Sequence, residues 1–222
     1  MHTPVTNFSA AKFSISAPSL KHCPPDSGAE IAFVGRSNAG KSSAINTLTG
    51  VRGLARTSKT PGRTQQINFF TIEPLKKLVD LPGYGFAKVS KAKKRKWDHH
   101  LMEYLELRKC LVGLVLLIDI RHIFLDYDKQ MLIWAKSVSL PVHILLTKSD
   151  KLSRMKCKEI QIKAEQHIRL MDPESLLFSL QVFSARKKIG LEQLKRTLNI
   201  WFDNLYYLFF TVQFGFILCI TY

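Results

Sequence analysis

The most constraining feature of the sequence is a glycine-rich segment between an apolar strand pattern and a helical pattern. Residues 31–34 form a short apolar run typical of a buried strand, and apolar residues with helical spacing follow at 44–48. Between them, residues 35–42 read GRSNAGKS and match the pattern G-x-x-x-x-G-K-[ST]. This order of strand, tight turn and helix predicts an α/β domain whose first helix begins at a phosphate-binding loop.

Each residue type in this loop has a physical reason. Glycines permit the tight turn that lets backbone N–H groups surround phosphate oxygens, and the following helix presents its positive end to the same phosphates. Lys41 adds a mobile charge for the β- and γ-phosphates, and the Ser42 hydroxyl is placed to ligate Mg²⁺. The candidate phosphate-binding residues are Gly35, Arg36, Ser37, Asn38, Ala39, Gly40, Lys41, Ser42 and Ser43.

The rest of the chain alternates strand and helix patterns, which is the signature of an α/β fold. Strands are predicted at 67–72, 75–79, 110–120, 142–146 and 180–183, and helices at 127–136, 155–170 and 191–201. We therefore expect a sheet of six or so mainly parallel strands with helices on both faces. Residues 1–29 contain four prolines, are predicted to be irregular, and are expected to pack on or near the domain as an N-terminal extension.

A second motif distinguishes guanine from adenine. Residues 147–150 read TKSD directly after a predicted strand. Guanine presents two adjacent donors that one carboxylate, that of Asp150, can accept, and adenine has no matching pair. The stem of Lys148 can lie along the base, and a backbone amide after the last strand could contact the guanine O6. The candidate base-binding residues are Thr147, Lys148, Ser149, Asp150, Phe183, Ser184 and Ala185.

Two further segments are candidates for sensing the terminal phosphate. Residues 80–83 read DLPG after a predicted strand, so Asp80 can hold a Mg²⁺-bound water while the Gly83 amide reaches the γ-phosphate. Upstream, Thr64 is the candidate second protein ligand of Mg²⁺, with Thr57 and Thr60 as less favoured alternatives. The candidates in these segments are Gly62, Arg63, Thr64, Gln65, Gln66, Asp80, Leu81, Pro82 and Gly83.

Together these segments resemble one family. GRSNAGKSS (35–43), TPGRTQQINFF (60–70), DLPGYGFA (80–87), TKSD (147–150) and VFSARKKIG (182–190) are similar to the EngB (YihA/YsxC-type) translation-factor-related GTPases. The resemblance covers about residues 8–202. It implies a P-loop NTPase fold with a Ras-like G domain at 30–202, and a bacterial, cytoplasmic, Mg²⁺-dependent GTPase. It also implies assembly of the large ribosomal subunit through ribosomal RNA, and a need for the protein in normal cell division and septation.

Two positions bear on catalysis. Tyr84 stands where Ras-like enzymes carry a glutamine that orients the attacking water, so we expect slow intrinsic hydrolysis. Asn38 matches an asparagine that helps to hold K⁺ in potassium-activated GTPases similar to this chain, where the cation offsets phosphate charge. The alternative is that Asn38 only stabilises the turn of the loop.

Charge and composition indicate the partner. The 222 residues include 33 Lys and Arg against 17 Asp and Glu, a formal net charge of +16, which favours a phosphate-rich partner. Six of the nine residues at 88–96 are basic, and a tryptophan follows. Our hypothesis is that GTP orders this segment and presents it to ribosomal RNA, and the alternative is a solvated helix face. The candidate RNA contacts are Lys91, Lys93, Lys94, Arg95 and Lys96.

The C-terminal tail, residues 203–222, extends past the family pattern. Residues 205–222 carry no charge over 18 residues, near the lower limit of roughly 17–25 for a membrane-spanning helix. Three interpretations stay open: a membrane anchor, a segment folded onto the domain, or an extension without function. An anchor would make the chain a membrane-associated septation factor. The four cysteines show no metal or disulfide spacing and no signal peptide is visible, so we otherwise expect a cytoplasmic monomer.

Overall fold

The structure, a computed structural model, describes residues 5–56, 66–84, 100–174 and 176–214, and only the helical backbone of 204–214. Within these ranges the strands are β1 (Lys12–Ala17), β2 (Ala29–Gly35), β3 (Ile67–Glu73), β4 (Lys76–Asp80), β5 (Leu111–Asp119), β6 (Val142–Thr147) and β7 (Phe178–Val182). The α-helices are α1 (Lys41–Thr49), α2 (residues 100–107), α3 (Asp126–Ser137), α4 (Arg154–Met171) and α5 (Leu191–Phe214).

These strands form one sheet in the order β1-β3-β4-β2-β5-β6-β7. Strands β4, β2, β5, β6 and β7 are parallel, and β3 runs antiparallel to both of its neighbours. The predicted α/β fold with a mainly parallel sheet is therefore confirmed. Because the five parallel strands end at the same edge, the loops that follow them are brought together there.

The prediction that residues 1–29 are irregular is wrong in one respect. Lys12–Ala17 form β1, which pairs antiparallel with β3 at the edge of the sheet. Its side chains are mostly exposed, yet residues 12–17 alternate polar and apolar as a strand does, and the ring of Phe13 lies 6.1 Å from that of Phe70. The prolines that suggested irregular chain flank the strand and do not interrupt it. This N-terminal segment thus contributes a strand to the sheet.

The core lies on both faces of the sheet, as expected for strands with continuous apolar runs. On β2, Ile31 and Phe33 pack in a cluster with apolar residues of α1 and α5, whereas Ala32 and Val34 pack in a second cluster with residues of α2, α3 and α4. All four side chains are fully buried. The helices therefore hold the strands, and the loops at their carboxyl ends, in fixed positions.

Helix α5 extends beyond the predicted 191–201 and continues as far as Phe214, well into the C-terminal tail. In the portion of the chain that the structure describes, no helix is long and apolar enough to cross a membrane. Residues 215–222 lie outside the described residues.

Candidate nucleotide-binding site

The glycine-rich loop connects β2 to α1 and is shaped to receive an anion. Gly40 is the N-cap of α1 with a φ of +105°, which residues with a Cβ rarely adopt. Since glycine has no side chain to cap the helix, the first N–H groups of α1 face the loop. Lys41 spans the loop and donates from Nζ to the carbonyl of Gly35 at 3.2 Å. The loop thus combines backbone donors with one ammonium group.

The DLPG segment lies directly against this loop. A Cβ on Gly83 would come within 2.6 Å of the Lys41 Nζ and 3.1 Å of the Ser37 backbone nitrogen. Any side chain at position 83 would therefore displace the lysine. The two segments predicted to contact phosphates are in contact with each other in the structure.

Ser42 and Asp80 meet at the same end of the site. The Ser42 Oγ lies 3.4 Å from the Asp80 Oδ2, and the buried Asp80 Oδ1 has no hydrogen-bond partner among the described residues. Burial raises the pKa of Asp80 to about 6, although Lys41 and the Ser42 hydrogen bond lower it. Burial likewise lowers the pKa of Lys41, which Asp80 opposes. A phosphate beside Lys41 and a cation beside Asp80 would each favour the charged form of that group.

These donors fit a divalent cation such as Mg²⁺. A hydroxyl and a carboxylate are the oxygen ligands that Mg²⁺ takes when phosphates and waters complete its octahedron. Elsewhere in the described residues no group of three His, Cys, Asp or Glu could hold a metal ion. A Mg²⁺-bound water reaching Asp80 would also satisfy its buried Oδ1.

The TKSD segment begins at the end of β6 and is fixed to the phosphate loop. Thr147 donates from Oγ1 to the carbonyl of Ala39 at 2.7 Å. Lys148 has a φ of +60°, and its Nζ lies 3.0 Å from the Asp119 Oδ2 at the end of β5. Burial by itself would raise the pKa of Asp119. Hydrogen bonds from Arg121 and Lys148 outweigh it and hold this pKa below its ordinary value. The anchored Lys148 stem is therefore held at the carboxyl edge.

The carboxylate of Asp150 is oriented by the loop after β7. Ser184 donates from Oγ to the Asp150 Oδ1 at 2.7 Å, and this bond lowers the pKa of Asp150. Ser184 is itself held by reciprocal backbone hydrogen bonds with Ile189, both 3.1 Å long. The Ser149 amide also donates to the Phe183 carbonyl at 3.3 Å. The two segments predicted to bind a base are thus joined into one unit.

Several of the predicted residues have no described position. Gly62, Arg63, Thr64 and Gln65, the alternatives Thr57 and Thr60, and Lys91, Lys93, Lys94, Arg95 and Lys96 lie outside the described residues. Gln66 is exposed just before β3. Asn38 is exposed with a φ of +64°, and its K⁺ role stays a prediction.

Sequence reasoning missed two contacts of the site. Asp119 holds Lys148, and its position at the end of an apolar strand was the available signal. Tyr84 donates to Asp128 on α3, a partner 44 residues away that no local pattern could indicate. The Tyr84 hydroxyl is therefore engaged by helix α3.

Comparisons with known proteins agree with this geometry. Residues 30–148 match a sequence model of the family described as 50S ribosome-binding GTPase. The Serratia proteamaculans protein named "Probable GTP-binding protein EngB" is 51% identical over 200 residues, covering 90% of this chain and 91% of the relative. The chain belongs to the EngB family of GTP-binding proteins. An EngB-family protein of the same name from Coxiella burnetii is 48% identical over 197 residues, covering 89% of this chain and 95% of the relative.

The fold of the EngB family is likewise shared. A crystal structure described as a probable GTP-binding protein engB superposes with a TM-score of 0.64 at 24% identity, covering 79% of this chain and 100% of that chain. The resemblance stated from the sequence is therefore confirmed, and the chain is a P-loop GTPase. Its phosphate loop, DLPG and TKSD segments occupy one edge of the sheet, where such an enzyme binds its nucleotide.

Proposed function

We propose that this EngB-family GTPase is a cytoplasmic, GTP-controlled assembly factor that binds the large ribosomal subunit. The observation that carries the proposal is the geometry of Asp150, whose carboxylate is oriented by a hydrogen bond from Ser184 next to the segment that binds the phosphate loop. Support for the partner comes from the family description, 50S ribosome-binding GTPase, and from the net charge of +16. A role in cell division and septation would follow from ribosome assembly.

The described residues divide the work of hydrolysis between them. Lys41 and the first turn of α1 bind the β- and γ-phosphates, and the Gly83 amide contacts the γ-phosphate. Ser42 directly, and Asp80 through a water, would hold Mg²⁺, which would supply positive charge against the phosphates. Tyr84 donates its hydroxyl to Asp128 and so has no donor for the attacking water. Intrinsic turnover should therefore be slow, with K⁺ at Asn38 as the proposed supplement.

The basic segment 88–96 is the proposed contact with ribosomal RNA. In the chain it lies between Tyr84, whose backbone is bonded to the phosphate loop, and α2. This placement links RNA binding to the nucleotide, because a bound γ-phosphate acts on the segment's N-terminal neighbour. Contacts between lysine or arginine and RNA phosphates release counterions, so binding should weaken steeply with salt.

Co-sedimentation with purified large subunits tests the proposal. Protein loaded with a non-hydrolysable GTP analogue should pellet with the subunits, and protein loaded with GDP should pellet less. Replacing Lys93, Lys94, Arg95 and Lys96 with glutamine should weaken binding and reduce the salt slope by about 1 for each RNA phosphate that is no longer neutralised. The matched control replaces four exposed lysines elsewhere: Lys12, Lys21, Lys129 and Lys158.

The control separates a specific contact from general charge. If the two quadruple variants weaken binding equally, the basic segment is not the contact. If wild-type protein binds the subunits equally with GDP and with the GTP analogue, binding is not controlled by GTP and the proposal fails.

A further inference from the structure

Tyr84 directly follows the DLPG segment and is hydrogen-bonded to the phosphate loop through its backbone. The Ser37 N–H donates to the Tyr84 carbonyl at 2.9 Å, and the Tyr84 N–H donates to the Gly35 carbonyl at 3.3 Å. The preceding residue, Gly83, lies against the Lys41 ammonium. The position of the Tyr84 backbone therefore determines the position of the neighbouring Gly83 amide.

The side chain of Tyr84 is held by two residues of helix α3. It is 1% exposed, and its ring stacks on that of Tyr127, with centroids 5.7 Å apart. The hydroxyl donates to the Asp128 Oδ1 at 2.6 Å. Burial raises the pKa of Tyr84 well above its ordinary value, so the hydroxyl stays protonated as a donor. A short bond from a neutral hydroxyl to a buried carboxylate is among the stronger hydrogen bonds in proteins.

Asp128 is itself immobilised at the start of α3. Its Oδ2 accepts from the Leu125 N–H at 3.0 Å, which closes the first turn of the helix. Asp128 is only 1% exposed. The carboxylate is thus a fixed acceptor, and the bond to Tyr84 connects the phosphate loop, the DLPG segment and α3.

We propose that Tyr84 and Asp128 form a positioning pair that holds the Gly83 amide at the γ-phosphate and thereby sets the affinity for GTP relative to that for GDP. This inference rests on the proposed contact between Gly83 and the γ-phosphate. GDP has no γ-phosphate, so its affinity should not depend on the pair. Neither side chain needs to touch the nucleotide, since both act through the backbone of Gly83.

The test is the ratio of two dissociation constants, for a non-hydrolysable GTP analogue and for GDP, measured with Mg²⁺ by calorimetry. Tyr84→Phe removes only the hydroxyl, and Asp128→Ala removes its acceptor. Each variant should weaken binding of the analogue relative to GDP by about three- to ten-fold, on the scale of the net contribution of one typical intramolecular hydrogen bond. In the double variant, the relative affinity for the analogue should fall no further than in the more affected single variant, because both changes break the same hydrogen bond.

Tyr104→Phe is the matched control. Tyr104 is also fully buried and also donates to a carboxylate, the Glu30 Oε2 at 2.9 Å, but Glu30 lies at the amino end of β2, opposite the phosphate loop. This variant should lose stability and keep the wild-type ratio. A change in relative nucleotide affinity that appears only in the Tyr84 and Asp128 variants therefore cannot be explained by a general loss of stability.

The outcomes separate the pair from the function on which it rests. If wild-type protein prefers neither nucleotide over ATP, the proposed function fails, and the positioning pair fails with it. If wild-type protein binds both guanine nucleotides, and Tyr84→Phe leaves the dissociation constant of the analogue unchanged or lower relative to that of GDP, only the positioning pair is overturned. Equal weakening of both nucleotides by Asp128→Ala also overturns it, even if Tyr84→Phe fails to fold.

Discussion

A buried ion pair at the amino end of β2 provides the sharpest prediction for stability. Glu30 is fully buried and accepts from the Arg108 Nε at 2.8 Å, from the Arg108 Nη2 at 2.6 Å and from the Tyr104 hydroxyl at 2.9 Å. The Lys77 Nζ lies 3.7 Å away. Since Tyr104 belongs to α2 and Arg108 directly follows it, this cluster fixes the C-terminal end of that helix to the sheet.

Glu30→Ala should destabilise the fold strongly, because it removes the carboxylate that pairs with the buried Arg108 guanidinium and accepts from the buried Tyr104 hydroxyl. Breaking a buried pair by removing one partner costs about 3–5 kcal/mol. The Arg108 Nη2 also donates to the Pro25 carbonyl at 3.2 Å, so part of its hydrogen bonding survives. We therefore expect the lower end, about 3 kcal/mol, which for a domain of this size lowers Tm by about 6–12 °C.

Urea and thermal unfolding at a fixed nucleotide concentration measure this loss, since bound nucleotide itself stabilises the folded state. The control is Glu159→Ala, which removes an exposed carboxylate paired with Lys156 and Lys163 at 2.8 Å each. Exposed pairs contribute little, so its midpoint should hardly change. If Glu30→Ala lowers the free energy of unfolding by less than about 1 kcal/mol, the reasoning that its removal leaves buried partners unpaired is refuted.

Three further substitutions test the site and the sheet. Ser184→Ala removes the bond that orients Asp150, so calorimetry should show GTP and GDP affinity falling alike, by about ten-fold; unequal losses would contradict this. Gly83→Ala places a methyl against Lys41, so single-turnover hydrolysis should slow by at least about ten-fold, and an unchanged rate would count against the contact. Burial lowers the pKa of His143, so stability falls as pH drops below about 6.5. His143→Gln should lose less stability than wild type between pH 7 and pH 5 in urea titrations, and a loss equal to that of wild type would exclude this origin.

Much of the fold could be predicted because local pattern and chain order coincide with the tertiary structure. The strand, loop and helix around the phosphate loop were predictable from apolar runs and glycines, and Gly50 at the end of α1 has the positive φ expected of a helix stop. The carboxyl ends of parallel strands converge, so motifs separated by more than 100 residues could be assigned to one edge of the sheet.

The remainder depends on contacts that the sequence does not encode locally. Strand β1 was missed because the prolines around it suggested irregular chain, although residues 12–17 alternate polar and apolar; its place at the sheet edge depends on β3, some 50 residues away. The bond from Tyr84 to Asp128 and that from Tyr104 to Glu30 join residues 44 and 74 positions apart. Single tyrosines and carboxylates carry no periodic signal, so only the assembled fold shows which of them pair.

The most direct test of the account is nucleotide specificity at Asp150. Equilibrium binding with Mg²⁺ should show that wild-type protein binds GTP and GDP and discriminates strongly against ATP and xanthosine triphosphate. Asp150→Asn should lower the affinity for guanine nucleotides and raise the affinity for xanthine nucleotides, because xanthine carries a carbonyl where guanine carries an amino donor. Wild-type protein that binds ATP as tightly as GTP, or an Asp150→Asn variant that keeps its affinity for GTP, would contradict the assignment of the guanine site.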